Sequence, residues 1–87
     1  MAAKIVMLTE SGEVKAAPGL LVAVVLTHSD AAQIHVKDGG SDGTEIVGLR
    51  LSGAGSVAFS PSMPVSFSSL YVTVDAGTGP EVAVVYV

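Results

Sequence analysis

Few residues in this 87-residue chain are of types that do chemistry, and their spacing is what any functional reading must explain. The densest group is the loop Asp38-Gly39-Gly40-Ser41-Asp42-Gly43 with Glu45 just beyond it. Asp38, Asp42 and Glu45 offer hard oxygen ligands of the kind calcium takes, but without the alternate-position spacing of a helix–loop–helix calcium loop. The same Asp and Gly residues are what a tight hairpin turn requires. His28, Ser29 and Asp30 place a base, a hydroxyl and a carboxylate side by side. A nucleophilic triad is assembled through space, and three consecutive residues at a strand end cannot face one another in that way. His35 alternates with polar neighbours and reads, beside Lys37, as part of a wetted sheet face. A shared metal would need the fold to bring His28 and His35 together.

The remaining candidates are weaker. Ser52-Gly53-Ala54-Gly55-Ser56 is glycine-rich but lacks the Lys-Ser/Thr ending and following helix of a phosphate loop. Glu10, Glu13, Asp75 and Glu81 fall in turns or exposed segments and read as solubilising charge, not as a carboxylate pair in opposed environments. The residues themselves therefore predict no enzyme, no cofactor and no metal site. Lys and Arg total 4 against 8 Asp and Glu, giving a net charge of −4. That balance argues against a nucleic-acid groove, which needs clustered cations. The longest apolar run, Leu20 to Leu26, is far short of the roughly 20 residues of a spanning helix, and the amino terminus lacks the features of a signal peptide. The expectation is a chain that neither crosses a membrane nor is secreted.

The elements that must position these residues are strands. No window shows helical three-four spacing with caps. Alternation and turn residues place strands at Lys4–Leu8, Glu13–Ala16, Leu20–Thr27, Ala32–Lys37, Thr44–Leu51, Val57–Phe59, Ser66–Asp75 and Glu81–Val87. About seven or eight short strands with turn signals every 8–12 residues predict an all-β fold, a single antiparallel sandwich or jelly-roll-like domain spanning 1–87. With no Cys, such a small domain cannot lean on disulfides, and only 14% of its residues are charged against about 25% in ordinary domains.

Two strands are apolar on both faces. Val82, Val84 and Tyr86 alternate with Ala83, Val85 and Val87, and Leu20, Val22, Val24 and Leu26 with Leu21, Ala23 and Val25. A strand apolar on both sides must be covered on both. We expect Leu21, Ala23, Val25, Ala83, Val85 and Val87 to form an outward patch used as a subunit contact, the inverse parity (Leu20, Val22 and Val24 outward) being the alternative. Ile5 and Met7 belong to the same candidate interface, on a segment 1–8 that is either an arm docking on a neighbour by strand addition or an ordinary edge strand.

One family fits the order of these features. Phe59, Pro61, Pro64, Phe67, then Leu70-Tyr71-Val72 and a Gly-rich turn before Val82-Ala83-Val84-Val85-Tyr86 resemble the small virion proteins of tailed bacteriophages, the capsid-decoration and head-fibre-like family. Gly19-Leu20 opening an apolar strand and Val36-Lys37-Asp38-Gly39 closing another match the same pattern, which covers about Val14 to Val87. Ser69 departs from it, standing where Gly often precedes the Leu-Tyr-Val strand. The resemblance implies a β-sandwich bound to the capsid surface, or a neck or tail component, made in the cytoplasm of a host bacterium. It implies partners in the major capsid protein or other virion proteins and in further copies of the chain, a trimer being favoured. It carries no catalytic residues. A carbohydrate-binding module on a fibre is the competing class, with Phe59, Phe67, Tyr71 and Tyr86 as the aromatics available to it.

Overall fold

The computed structural model describes residues 3–87. Nine strands and no helix make up the described chain: β1 (Lys4–Leu8), β2 (Gly12–Lys15), β3 (Gly19–His28), β4 (Ala32–Asp38), β5 (Thr44–Leu51), β6 (Gly55–Phe59), β7 (Val65–Phe67), β8 (Leu70–Ala76) and β9 (Glu81–Tyr86). The ninth arises because Ser68 and Ser69 break the expected Ser66–Asp75 strand in two.

The topology follows from one long hairpin. The chain turns back at the Gly-rich loop between β4 and β5, so β4 pairs β5, β3 pairs β6 and β7, β2 pairs β8, and β1 pairs β9, all antiparallel. Successive pairs fall alternately in two sheets. Rolling the hairpin then adds β3 to β9 and β4 to β8. The result is a five-stranded sheet ordered β1-β9-β3-β6, with β7 also on β3, facing a four-stranded sheet ordered β2-β8-β4-β5. This is the double Greek key of a jelly roll.

Between the sheets lies an apolar core of Leu21, Val24, Leu26, Ile34, Val36, Leu49, Leu51, Phe67, Leu70, Val72, Val82, Val84 and Tyr86, with Ala32 at its margin. No charged or polar residue is buried among the described residues. Val82, Val84 and Tyr86 point inward as one set, which leaves Ala83, Val85 and Val87 on the outside. Across one open side of the sandwich, the Lys15 ammonium of β2 sits 5.4 Å from the ring centre of Tyr86, a cation–π contact linking the two sheets.

Four β-bulges break the alternation, one of them in the edge strand β2, where Glu13 opposes Tyr71 and Lys15 opposes Leu70, making Val14 extra. In β3, Leu21 opposes Tyr86 but Ala23 opposes Val85, so Val22 is the extra residue. In β5, Val47 opposes Val36 and Glu45 opposes Lys37, making Ile46 extra. In β8, Ala76 opposes Gln33 and Val74 opposes Ile34, making Asp75 extra. Each extra residue shifts the facing of the strand beyond it.

The β3 bulge corrects one expectation. Leu21 is fully buried in the core, while Leu20 is 40% exposed. Leu21 therefore does not share the outward face with Ala23 and Val25. A strict period of two put it there, and the extra residue Val22 carries it to the other side. The segment 1–8 is represented by β1, an edge strand paired with β9 in an unbroken five-residue register; Met1 and Ala2 lie outside the described residues.

Candidate functional site

The two outer faces of the sandwich differ in chemistry. On the four-stranded sheet the outward side chains are polar. Gln33, His35 and Lys37 project from β4, Tyr71 and Thr73 from β8, and Arg50 from β5, flanking the inward sets Ile34–Val36, Leu70–Val72 and Leu49–Leu51. At the centre, His35 lies between two carboxylates. Its Nε2 is 3.1 Å from Glu45 Oε1, and its Nδ1 is hydrogen-bonded to Asp75 Oδ2. A neutral imidazole has one N–H and satisfies one of these partners; an imidazolium donates to both.

This cluster ties three neighbouring strands together, and bulges place both of its carboxylates. Asp75 is itself the extra residue of β8. Glu45 faces outward beside Lys37 because Ile46 is extra and turns toward the core, where it packs as a half-buried residue. Gly48 leaves room for the ring, since a Cβ there would lie 3.1 Å from His35 Cδ2. Thr73, the cross-strand neighbour of His35, has a buried hydroxyl oxygen with no hydrogen-bond partner among the described residues. The cluster holds a histidine and two acids, and its contacts link β4 to β5 and β8.

The residues of the Asp38–Gly43 loop do not converge. Asp38 Oδ1 accepts from the amides of Ser68 (2.8 Å) and Ser69 (3.2 Å), fastening this loop to the β7–β8 turn. Glu45 is engaged with His35, and Asp42 is exposed in the turn. Among the described residues no three His, Asp or Glu side chains gather as a metal-binding group. Asp30 Oδ1 accepts from the amide of Ala31 at 2.7 Å, within its own turn. His28 ends a strand of the five-stranded sheet, beside a shallow depression lined by Thr27, Ser29, Gly79 and Glu81, whereas His35 lies on the outer face of the other sheet. Of the aromatics, Phe67 and Tyr86 belong to the core and Phe59 packs against it, leaving Tyr71 alone on the polar outer face.

The outer face of the five-stranded sheet is apolar. Ile5 and Met7 project from β1, Ala83 and Val85 from β9, Ala23 and Val25 from β3, and Ala58 from β6. The register places them in rows, Ile5–Val85–Ala23 and Met7–Ala83–Val25–Ala58. Leu20 and Val87 extend the face, joined by reciprocal backbone hydrogen bonds of 3.1 and 2.9 Å that carry the ladder past the end of β9. Ile5 and Met7 are 66% and 58% exposed, whereas Ala23, Val25, Ala83, Val85 and Val87 are half-buried because neighbours in the sheet flank them. Among the described residues the one charge on this face is Glu81, at its end beside Thr27 and Ser56.

No family model, curated protein or solved structure matches the chain.

Proposed function

We propose that the chain is a structural virion protein of a tailed bacteriophage, a capsid decoration or cement subunit that binds the assembled shell as a symmetric oligomer. The observation that carries this reading is the apolar outer face of the five-stranded sheet, charged only at its Glu81 end. A soluble monomer rarely leaves so continuous an apolar surface in water. Docking through this face strips water from alanine, valine, isoleucine and methionine side chains and buries no charge except at the Glu81 end. The charged residues of the opposite face remain available to keep the particle surface wetted.

Two further features support the assignment. The order of Phe59, Pro61, Pro64, Phe67, Leu70-Tyr71-Val72 and Val82–Tyr86 resembles that of small phage virion proteins, and the jelly roll is an architecture that capsid domains use. The architecture is also found in lectins, and fold alone does not assign function. A sugar platform finds little support in this chain, because Phe67 and Tyr86 are spent on the core. The test is co-sedimentation of the purified chain with shells assembled without it. Saturable binding that is lost on replacing Val25 and Val85 by Glu, with the fold intact by circular dichroism, supports the proposal. Absence of binding to shells, or binding indifferent to those replacements, refutes it.

A further inference from the structure

The four edges of the sandwich are not equivalent. The β6–β7 edge is two short strands, end to end along β3, separated by a Ser60–Pro64 stretch containing Pro61 and Pro64. The β2 edge is four residues long, bulged, and carries Glu13 and Lys15. The β5 edge is bulged at Ile46 and carries Glu45, Gly48 and Arg50. Prolines, bulges, charges and short strands are the devices by which sheet edges avoid pairing with another chain. The β1 edge is as short as β6, but it has no proline and no bulge and carries only a single Lys, at its start. It is regular over Lys4–Leu8, it pairs only β9 among the described residues, and it carries the two most exposed side chains of the apolar face, Ile5 and Met7.

We infer that β1 is a strand-addition site whose occupant is β1 of a second copy, the two running antiparallel about a two-fold axis at Val6. The strand is complementary to itself in that arrangement. Pairing all five residues sets Ile5 opposite Met7 of the second copy, and Lys4 opposite Leu8. In this register no like charges meet, since Lys4 is the one charged residue of the strand and faces Leu8. A parallel pairing would instead stack Lys4 on Lys4. Because the axis stands perpendicular to the sheet, the apolar outer faces of both copies end on the same side and become one surface. Two strands about 17 Å long bury well under the roughly 1,000 Å² of a durable interface, so the pair is weak and concentration-dependent in solution. The edge favours a pair over the trimer expected from the resemblance. The inference rests on the strand edge and holds whether or not the chain binds a shell.

Sedimentation velocity of the full chain over a dilution series tests it, with two double variants. Ile5→Lys/Met7→Lys opposes like charges twice in the pair and is expected to weaken dimerisation by about tenfold or more. Ile5→Lys/Met7→Glu opposes unlike charges at the same positions and is expected to retain it. Both changes fall on exposed side chains. Independently, Val6→Cys provides the chain's one thiol at the proposed axis and is expected to form a disulfide-linked dimer under mild oxidation, while Ala58→Cys at the opposite edge is not. The inference is overturned by a wild-type chain that stays monomeric to millimolar concentration, by a trimer, by equal weakening in both double variants, or by cross-linking through Ala58→Cys but not Val6→Cys.

Discussion

Replacing Leu21 and Leu20 by Ala, one at a time, probes the bulge that sets which face of β3 looks into the sandwich. The residues are adjacent and chemically identical, yet Leu21 is fully buried between the sheets and Leu20 is 40% exposed on the outer face. Truncating a buried leucine loses its transfer free energy and leaves a cavity, together about 3–4 kcal/mol. Truncating Leu20 loses only partial burial, about 0.5–1 kcal/mol, with no enclosed cavity. For 87 residues the total stability is of order 4–13 kcal/mol, so the Leu21 variant forfeits a large share of it. Its melting temperature is expected to fall by about 12–32 °C, and that of the Leu20 variant by less than about 8 °C. Urea titrations followed by far-ultraviolet circular dichroism supply the free energies, and unchanged m-values would show that both variants unfold from the same compact state. If Leu20→Ala is as destabilising as Leu21→Ala, Val22 is not an extra residue in β3 and the division of the strand into core and outer faces is wrong.

The polar network yields further expectations. Asp38→Ala removes the acceptor for the Ser68 and Ser69 amides; a loss of about 1–2 kcal/mol is expected, with faster hydrogen exchange at those two amides as the check. His35→Gln leaves Glu45 and Asp75 without the imidazole they share. In this partly exposed setting the loss is expected to be only about 0.5–1 kcal/mol, and the sensitivity of stability to salt should change with it in thermal melts run at low and high ionic strength. Gly48→Ala pushes a Cβ against the His35 ring, and displaced imidazole resonances in nuclear magnetic resonance spectra would register the lost Glu45 contact. Thr73→Val removes a buried hydroxyl that has no partner among the described residues, and a neutral or slightly raised melting temperature is expected, where a paired threonine would show a loss.

The strands and the fold class were legible because alternation and turn chemistry are local. Val82, Val84 and Tyr86 against Ala83, Val85 and Val87, or Ile34 and Val36 against Gln33 and His35, read directly as two opposed sets, though which set of the last strand faces the core did not, and the Asp38–Gly43 turn marks the centre of the long hairpin. Facing was lost wherever one extra residue enters a strand. Val22 moves Leu21 inward, and Ile46 turns inward while Glu45 turns outward, although nothing in their residue types announces a bulge. The His35 cluster was missed for the same reason. His35, Glu45 and Asp75 are separated in sequence and meet only because β5 and β8 flank β4, with a bulge beside each carboxylate. Asp38 read as a turn former or a cation ligand, and its bonds to Ser68 and Ser69 depend on the distant β7–β8 turn lying next to the loop.

The central claim is that the apolar face of the five-stranded sheet is covered when the chain is at work. Carbene footprinting of the free chain and of the chain bound to assembled shells tests it residue by residue. The account predicts that labelling at Ala23, Val25, Ala83 and Val85 falls on binding, while labelling at Gln33, Lys37 and Tyr71 on the opposite face does not change. Protection of the Gln33–Lys37–Tyr71 face with the apolar face still labelled would contradict it.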